Sequence, residues 1–183
     1  MKHSNQNRIK ELLDRLGRIS AADEWREDIN PTQWAALSYL ARANRFSRSP
    51  SQVSDFMAAT RGTVSQTLKA LAKKNLIKEV RSEQDKRSIS YSITKQGEAV
   101  FQKKNIIEDA LSHLKTDQSS NLLRELEALV FTALKLRGLR PFGVCKTCIH
   151  HQKAPNGGFC RLLGEDLSKV EINQICHEHS SVC

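Results

Sequence analysis

Apolar residues recur at helical spacing from the start of the chain. Ile9, Leu12, Leu13, Leu16 and Ile19 form one stripe, which predicts an amphipathic helix of about four turns whose face needs a partner. After an acidic stretch from Asp23 to Asp28, a second helix is signalled at Asn30-Pro31. Asn30 suits the cap, Pro31 the first helical position, Gln33 the return half of a capping box, and Ile29 a staple against Trp34. Trp34, Leu37, Leu40 and Ala41 supply its apolar face. Residues 45–49 read as a loop, and Ser49-Pro50 repeats the cap-then-proline start for a short helix with Val53, Phe56 and Met57. A break at 58–60 leads to a further helix, capped by Thr60 and running to about Asn75, with Val64, Leu68 and Leu71 inward.

The period then changes. Ile77, Val80, Ile89, Tyr91 and Ile93 lie in two runs rich in β-branched residues, separated by the charged stretch 82–87, which predicts a hairpin with an exposed tip. Thr94 is placed to cap a long helix carrying Val100, Ile106, Ile107, Leu111 and Leu114; Ser119 or Ser120 is placed to begin another, with Leu122, Leu123, Leu126, Leu129, Val130 and Leu134. Two such stripes exceed what a small domain covers alone, so pairing with a second copy is the economical expectation. The fold class is mainly α with a small β-hairpin wing. Its expected divisions are an N-terminal dimerisation helix (1–29), a winged helix-turn-helix (30–97), long dimerisation helices (98–138) and a cysteine-rich metal-binding tail (139–183).

Charge adds a partner to this picture. Twenty-nine Lys and Arg against twenty Asp and Glu give the 183-residue chain a formal charge of +9, which favours a polyanion. The helix after Thr60 turns Arg61, Thr63, Ser65, Gln66, Lys69 and Lys73 outward. Ser65 and Gln66 can read base edges in a major groove, and Gln matches adenine bidentately. Arg61, Lys69 and Lys73 suit phosphates. The hairpin tip adds Lys86 and Arg87, and arginine is the side chain suited to a narrow minor groove. Asp85 is placed to orient Arg87. A polar helix face with a few lysines is by itself ordinary solvated surface; the order helix-turn-helix, basic hairpin, long helix is what gives it meaning.

From Pro31 to Gly97 the chain resembles the MarR family of bacterial regulators. The resemblance rests on Asn30-Pro31-Thr32-Gln33, Arg61 to Leu68, Leu71 to Ile77, Asp85-Lys86-Arg87 and Ile93-Thr94-Lys95-Gln96-Gly97. It implies a triangular homodimer held by the first and the last two long helices and bound to a near-palindromic duplex operator, usually as a repressor. By position, Arg87 would be the minor-groove arginine, supported by Asp85, and Thr63, Ser65, Gln66 and Lys69 would lie on the recognition helix. The family often has Gly where Asn75 stands here, and Asn also tolerates the left-handed conformation that ends helices.

All five cysteines fall near the end of the chain. Cys145-Lys146-Thr147-Cys148 is a C-x-x-C, followed by Cys160 and Cys176, with a turn at 155–158 that can bring Cys160 back. In a reducing compartment this reads as one metal centre on four thiolates, Cys145, Cys148, Cys160 and Cys176. Zinc and a [4Fe-4S] cluster both fit; the single C-x-x-C followed by two isolated cysteines tips the spacing slightly towards the cluster, and with it towards a regulator that senses iron, oxygen or redox state. The other reading is a structural zinc site in a regulator with a small-molecule effector. His150, His151, His177 and His179 keep mixed ligation open, and Cys183 reads as a spare thiol. No stretch is apolar enough to span a bilayer and no hydrophobic signal core opens the chain, so a cytoplasmic protein without a membrane partner is expected. No phosphate-cradling loop or nucleophile–base pairing of recognisable spacing points to an enzyme.

Overall fold

The computed structural model describes residues 4–24, 28–81, 89–101 and 106–180. Helix α1 runs Asn5–Glu24, α2 Pro31–Arg42, α3 Pro50–Met57 and α4 Arg61–Lys73; strands β1 (Ile77–Arg81) and β2 (Ile89–Ile93) follow, then α5 (Lys95–Phe101), α6 (Ile106–Ser112) and α7 (Thr116–Leu136). The mainly α architecture with one hairpin wing is the one the hydrophobic pattern predicts.

Local chemistry sets the starts and stops. Asn30 accepts the Gln33 backbone N–H through Oδ1 at 2.9 Å, with Pro31 at the first helical position. Gln33 does not return the bond; its Oε1 accepts from Lys74 Nζ at 3.0 Å, joining α2 to the end of α4. Ser49 and Gln52 form the complete capping box at α3, and Thr60 accepts the Thr63 N–H at 3.2 Å to start α4. Caps of this kind contribute about 1 kcal/mol each. At the far end of α4, Asn75 adopts φ +56°. Its N–H donates to Ala72 O at 2.9 Å and that of Leu76 to Leu71 O at 3.1 Å, the paired bonds that close a helix around a left-handed residue. Ala58 takes the same left-handed region, φ 49°, to make the tight turn between α3 and α4.

The core lies among these elements. Leu37, Tyr39, Leu40, Val53, Val64, Leu68, Leu71, Leu76 and Ile77 are all buried, with Ile29 and Trp34 at one edge. Strands β1 and β2 pair antiparallel from Ile77↔Ile93 to Arg81↔Ile89. The tip they support, with Asp85, Lys86 and Arg87, lies outside the described residues.

The helix after Thr94 is described as α5 and α6, with residues 102–105 outside the described residues. The start of the last helix differs from the sequence pattern. Helix α7 begins a turn before Ser119: Gln118 Oε1 accepts the Lys115 N–H at 3.0 Å, and the Ser119 and Ser120 hydroxyls donate back to Thr116 O inside the helix. The apolar stripes of α1 and α7 stay open within one chain. Leu16 is 49% exposed, Leu123 58% and Val130 55%.

Beyond Gly138 the tail is short strands and turns. Strand β3 (Gly143–Val144) pairs with β7 (Ile175–Cys176), and β4 (His151–Ala154), β5 (Gly157–Cys160) and β6 (Glu165–Ser168) form a three-stranded antiparallel sheet. The register Ala154↔Gly157 makes Pro155-Asn156 the hairpin turn, and Gly157 sits there at φ 141°.

Candidate nucleic-acid interface and cysteine cluster

Helix α4 buries Val64, Thr67, Leu68 and Leu71 and leaves Arg61, Thr63, Gln66, Lys69 and Lys73 exposed, with Ser65 half-buried. Arg61, Ser65, Lys69 and Lys73 repeat every fourth residue and so share one row of the helix. Gln66 stands beside that row. The Thr63 hydroxyl lies 2.9 Å from that of Thr60, so any contact it makes with a base or phosphate competes with the cap. The structure thus brings six of the sequence-derived binding residues to one exposed face; Lys86 and Arg87 fall outside the described residues.

That face is braced from behind. Thr94 N–H donates to Leu76 O at 3.0 Å, and its hydroxyl donates to Asn75 O at 2.6 Å while accepting the Gly97 N–H at 3.1 Å. A Cβ on Gly97 would stand 2.1 Å from Leu76 O. The Thr-x-x-Gly spacing therefore lets α5 pack directly on the chain leaving α4.

The tail docks on the helix-turn-helix, chiefly at the segment between α2 and α3. Asn44 is fully buried. Its backbone N–H donates to Ile175 O at 2.9 Å, and its Nδ2 donates to Cys145 Sγ at 3.2 Å across a separation of 101 residues. Its Oδ1 accepts the Phe46 N–H at 3.1 Å. Ser47 Oγ accepts the His177 N–H at 2.9 Å. Arg45 pairs with Glu171 and, at 3.3 Å, with Glu165, and donates to Asp166 O at 2.9 Å. Phe142 sets its edge against Tyr39 and Phe56, with centroids 6.1 and 5.2 Å away.

Cys145 and Cys176 are buried with Leu167 in a second small core, against which Cys160, Phe46 and Ile172 pack. Each thiol is the largest influence on the other's titration: Cys176 is pulled down towards the thiolate, and Cys145, burial adding to the effect, is pushed up. Cys176 is further favoured as the anion by donors from Asn44, Ser47 and the Glu178 backbone. Cys148 ends the tight turn that Cys145 begins, donating its N–H to Cys145 O at 3.0 Å, and its Sγ accepts the Ser180 N–H at 3.4 Å. His151, the cross-strand partner of Cys160, has a buried Nε2 without a hydrogen bond. All four described cysteines are free thiols, and among the described residues no three His, Cys, Asp or Glu side chains are gathered closely enough to hold an ion as they stand. Cys183 lies outside the described residues. Sequence reasoning missed Asn44, Arg45 and Ser47, which lie in an aperiodic polar stretch with no local sign of a partner so distant in the chain.

No curated protein sequence is significantly similar to this chain. Solved structures share its fold. FabT of Streptococcus pneumoniae, in a structure described as a complex with DNA, is 22% identical with a TM-score of 0.56, covering 73% of this chain and 99% of that one. MepR of S. aureus, also described as a DNA complex, is 18% identical at a TM-score of 0.55, with 72% and 99% covered. A MarR transcriptional regulator from Methanosarcina mazei Go1 is 21% identical at 0.56, with 70% and 97% covered. About a quarter of this chain thus extends beyond each of them. No helix among the described residues is long and apolar enough to cross a membrane. Residues 27–88 match the MarR family profile, and the capped α4, the paired wing strands and the Thr94–Gly97 brace that follows give the chain a winged helix-turn-helix fold similar to that of these solved structures.

Proposed function

We propose that this chain is a sequence-specific, DNA-binding transcriptional regulator that works as a homodimer. The observation that carries the reading is the row of exposed Arg61, Lys69 and Lys73, with half-buried Ser65 within it and exposed Gln66 beside it, on a helix set between a tight turn and a hairpin wing. The helix fits the major groove; Ser65 and Gln66 read base edges, the cations hold phosphates, and Lys86 and Arg87 extend the contact from the wing. Two similar structures are described as DNA complexes, which supports the same partner here. The open stripes of α1 and α7 support self-association, since Leu12, Leu16, Leu123, Leu126 and Val130 would otherwise remain in water. Two recognition helices related by a dyad select a near-palindromic site.

The test is selection of duplexes from a random library with the full-length protein, followed by affinity measurements across a salt series. A shared, inverted-repeat motif with strongly salt-dependent affinity is expected. Sequence-independent binding, or none, refutes the reading. Leu126→Glu is expected to shift the sedimenting species from dimer towards monomer; an unchanged mass overturns the assignment of α7 to the dimer interface.

The tail adds a second layer to this reading. Because Asn44 and Ser47 join the cysteine cluster to the loop that leads into α3, a change of state at the cysteines would act on the helix-turn-helix directly. Such coupling would let metal or redox state set DNA affinity. The same duplex titration with oxidised and reduced protein checks it, and equal affinities would confine the tail to a structural role.

A further inference from the structure

We propose that Arg48 is a positioning residue that joins the tail to the hairpin wing, so that the docked tail fixes the angle at which the wing meets DNA. This role rests on the DNA-binding reading above and names the residue through which the tail would reach the wing. Tail and wing both meet the segment 43–48. On one side, Ala43 forms a parallel bridge with Ile175, the Asn44 N–H donates to Ile175 O at 2.9 Å, and Ser47 Oγ accepts the His177 N–H at 2.9 Å. On the other, Arg48 O accepts the N–H of Tyr91 at 3.0 Å. Tyr91 stands in the middle of β2 and is buried in the main core.

The Arg48 guanidinium ties these two sides together. Ala43 is the C-terminal cap of α2 and is fully buried, so its carbonyl is a helix-end acceptor that needs a donor from elsewhere. Arg48 Nε and Nη2 both donate to it, at 2.9 and 2.7 Å. The side chain thereby closes the segment into a loop whose first residue pairs with the tail and whose last pairs with the wing.

Within that loop there is little slack. The Ser47 N–H donates to Asn44 O at 3.1 Å, the Phe46 N–H donates to Asn44 Oδ1 at 3.1 Å, and Ser47 O accepts the buried Tyr39 hydroxyl at 2.5 Å. A segment bonded in this way moves as one piece, and contiguous hydrogen-bonded elements can carry coupling between separate sites. The same geometry argues against Arg48 as a phosphate ligand, since it is half-buried and two of its donors are committed to a protein carbonyl.

The test substitutes Arg48 in the full-length protein and reads both ends of the joint as well as the selected operator. Arg48→Met keeps the apolar stem and removes the donors to Ala43 O, whereas Arg48→Lys returns one. In Arg48→Met, amide exchange is expected to quicken about tenfold at Asn44, facing the tail, and at Tyr91, facing the wing, while Leu68 inside α4 keeps its protection. Operator affinity is expected to fall about tenfold, with Arg48→Lys between parent and Arg48→Met. In an Arg87→Ala background, which already lacks the proposed wing contact, Arg48→Met should have no further effect; in a Gln66→Ala background its loss should persist in full. Unchanged exchange at either Asn44 or Tyr91 overturns the joint, with Arg48→Lys giving the reading should Arg48→Met fail to fold. An affinity loss that is the same with and without Arg87 shows Arg48 acting on phosphate or on general stability, and overturns its positioning role. If the parent selects no operator, the DNA-binding reading falls and takes the wing's role with it, while the exchange result still decides whether Arg48 joins tail to hairpin.

Discussion

Replacing Gly97 by alanine adds one methyl group at a point where none fits. The new Cβ would lie 2.1 Å from Leu76 O and 2.8 Å from Ile93 Cγ1. The side chain of Ile93 can rotate away, but the carbonyl cannot: Leu76 O accepts the Thr94 N–H and lies in the chain that leaves α4. Relief therefore requires α5 to back away by roughly 1 Å, at the expense of the Thr94 bonds to Asn75 O and Leu76 O. Overpacking of this kind costs about 2–3 kcal/mol. For a chain of this size, about 2–4 °C of Tm follows each kcal/mol, so a fall of roughly 4–12 °C is expected in a calorimetric or fluorescence melt. Gly17→Ala is the control, since a Cβ there meets nothing within 4 Å and alanine favours the helix. A Gly97→Ala melt within a degree of the parent would show that α5 is not seated against the end of α4, and the explanation given for the Thr-x-x-Gly spacing would fall.

Other substitutions test other joints. Ala58→Gly removes a left-handed alanine at φ 49° and is expected to stabilise by about 1 kcal/mol in urea unfolding. Asn44→Ala leaves the Phe46 N–H without its acceptor and Cys145 without its amide donor; a loss of about 2–3 kcal/mol is expected, with faster amide exchange at Asn44, whose N–H is held by Ile175. Gln66→Ala is expected to reduce affinity for the selected operator by about 1–3 kcal/mol while leaving the salt slope unchanged, whereas Lys69→Ala should weaken all duplexes alike and lower that slope. Burial alone would raise the Glu171 carboxyl, but the Ser168 backbone N–H, the Ser168 hydroxyl and Arg45 hold it below its ordinary value. Its contribution is therefore full above about pH 4.3, the unfolded value, and is lost as pH falls through the lower folded one. Glu171→Gln should flatten the acid limb of the stability curve, read by amide exchange in β6.

Periodicity and capping located the helices of the helix-turn-helix, because Trp34, Leu37, Val64, Leu68 and Leu71 mark a continuous buried face and Asn30, Ser49 and Thr60 announce its starts. The start of α7 was less legible: Ser119 and Ser120 look like caps, but their hydroxyls bond back within a helix that Lys115 and Gln118 had already opened. In the tail, cysteine spacing marked the chemistry but not the placement. Strands as short as Gly143–Val144 carry no alternation to read, and Asn44 and Cys145 find each other only through tertiary packing.

That pairing has a bearing on how the chain is made. The bonds from Asn44 and Ser47 to Cys145, Ile175 and His177 join residues more than a hundred positions apart. During synthesis the segment after α2 leaves the ribosome long before its partners exist, so the helix-turn-helix matures in two steps, the second waiting for residues about 130 positions downstream. Long-range closure of this sort slows folding. A premature stop after α7 would spare every residue proposed to touch DNA, yet leave the Asn44 Nδ2 and backbone N–H without their acceptors, so the message for the tail also governs the quality of a domain encoded far upstream.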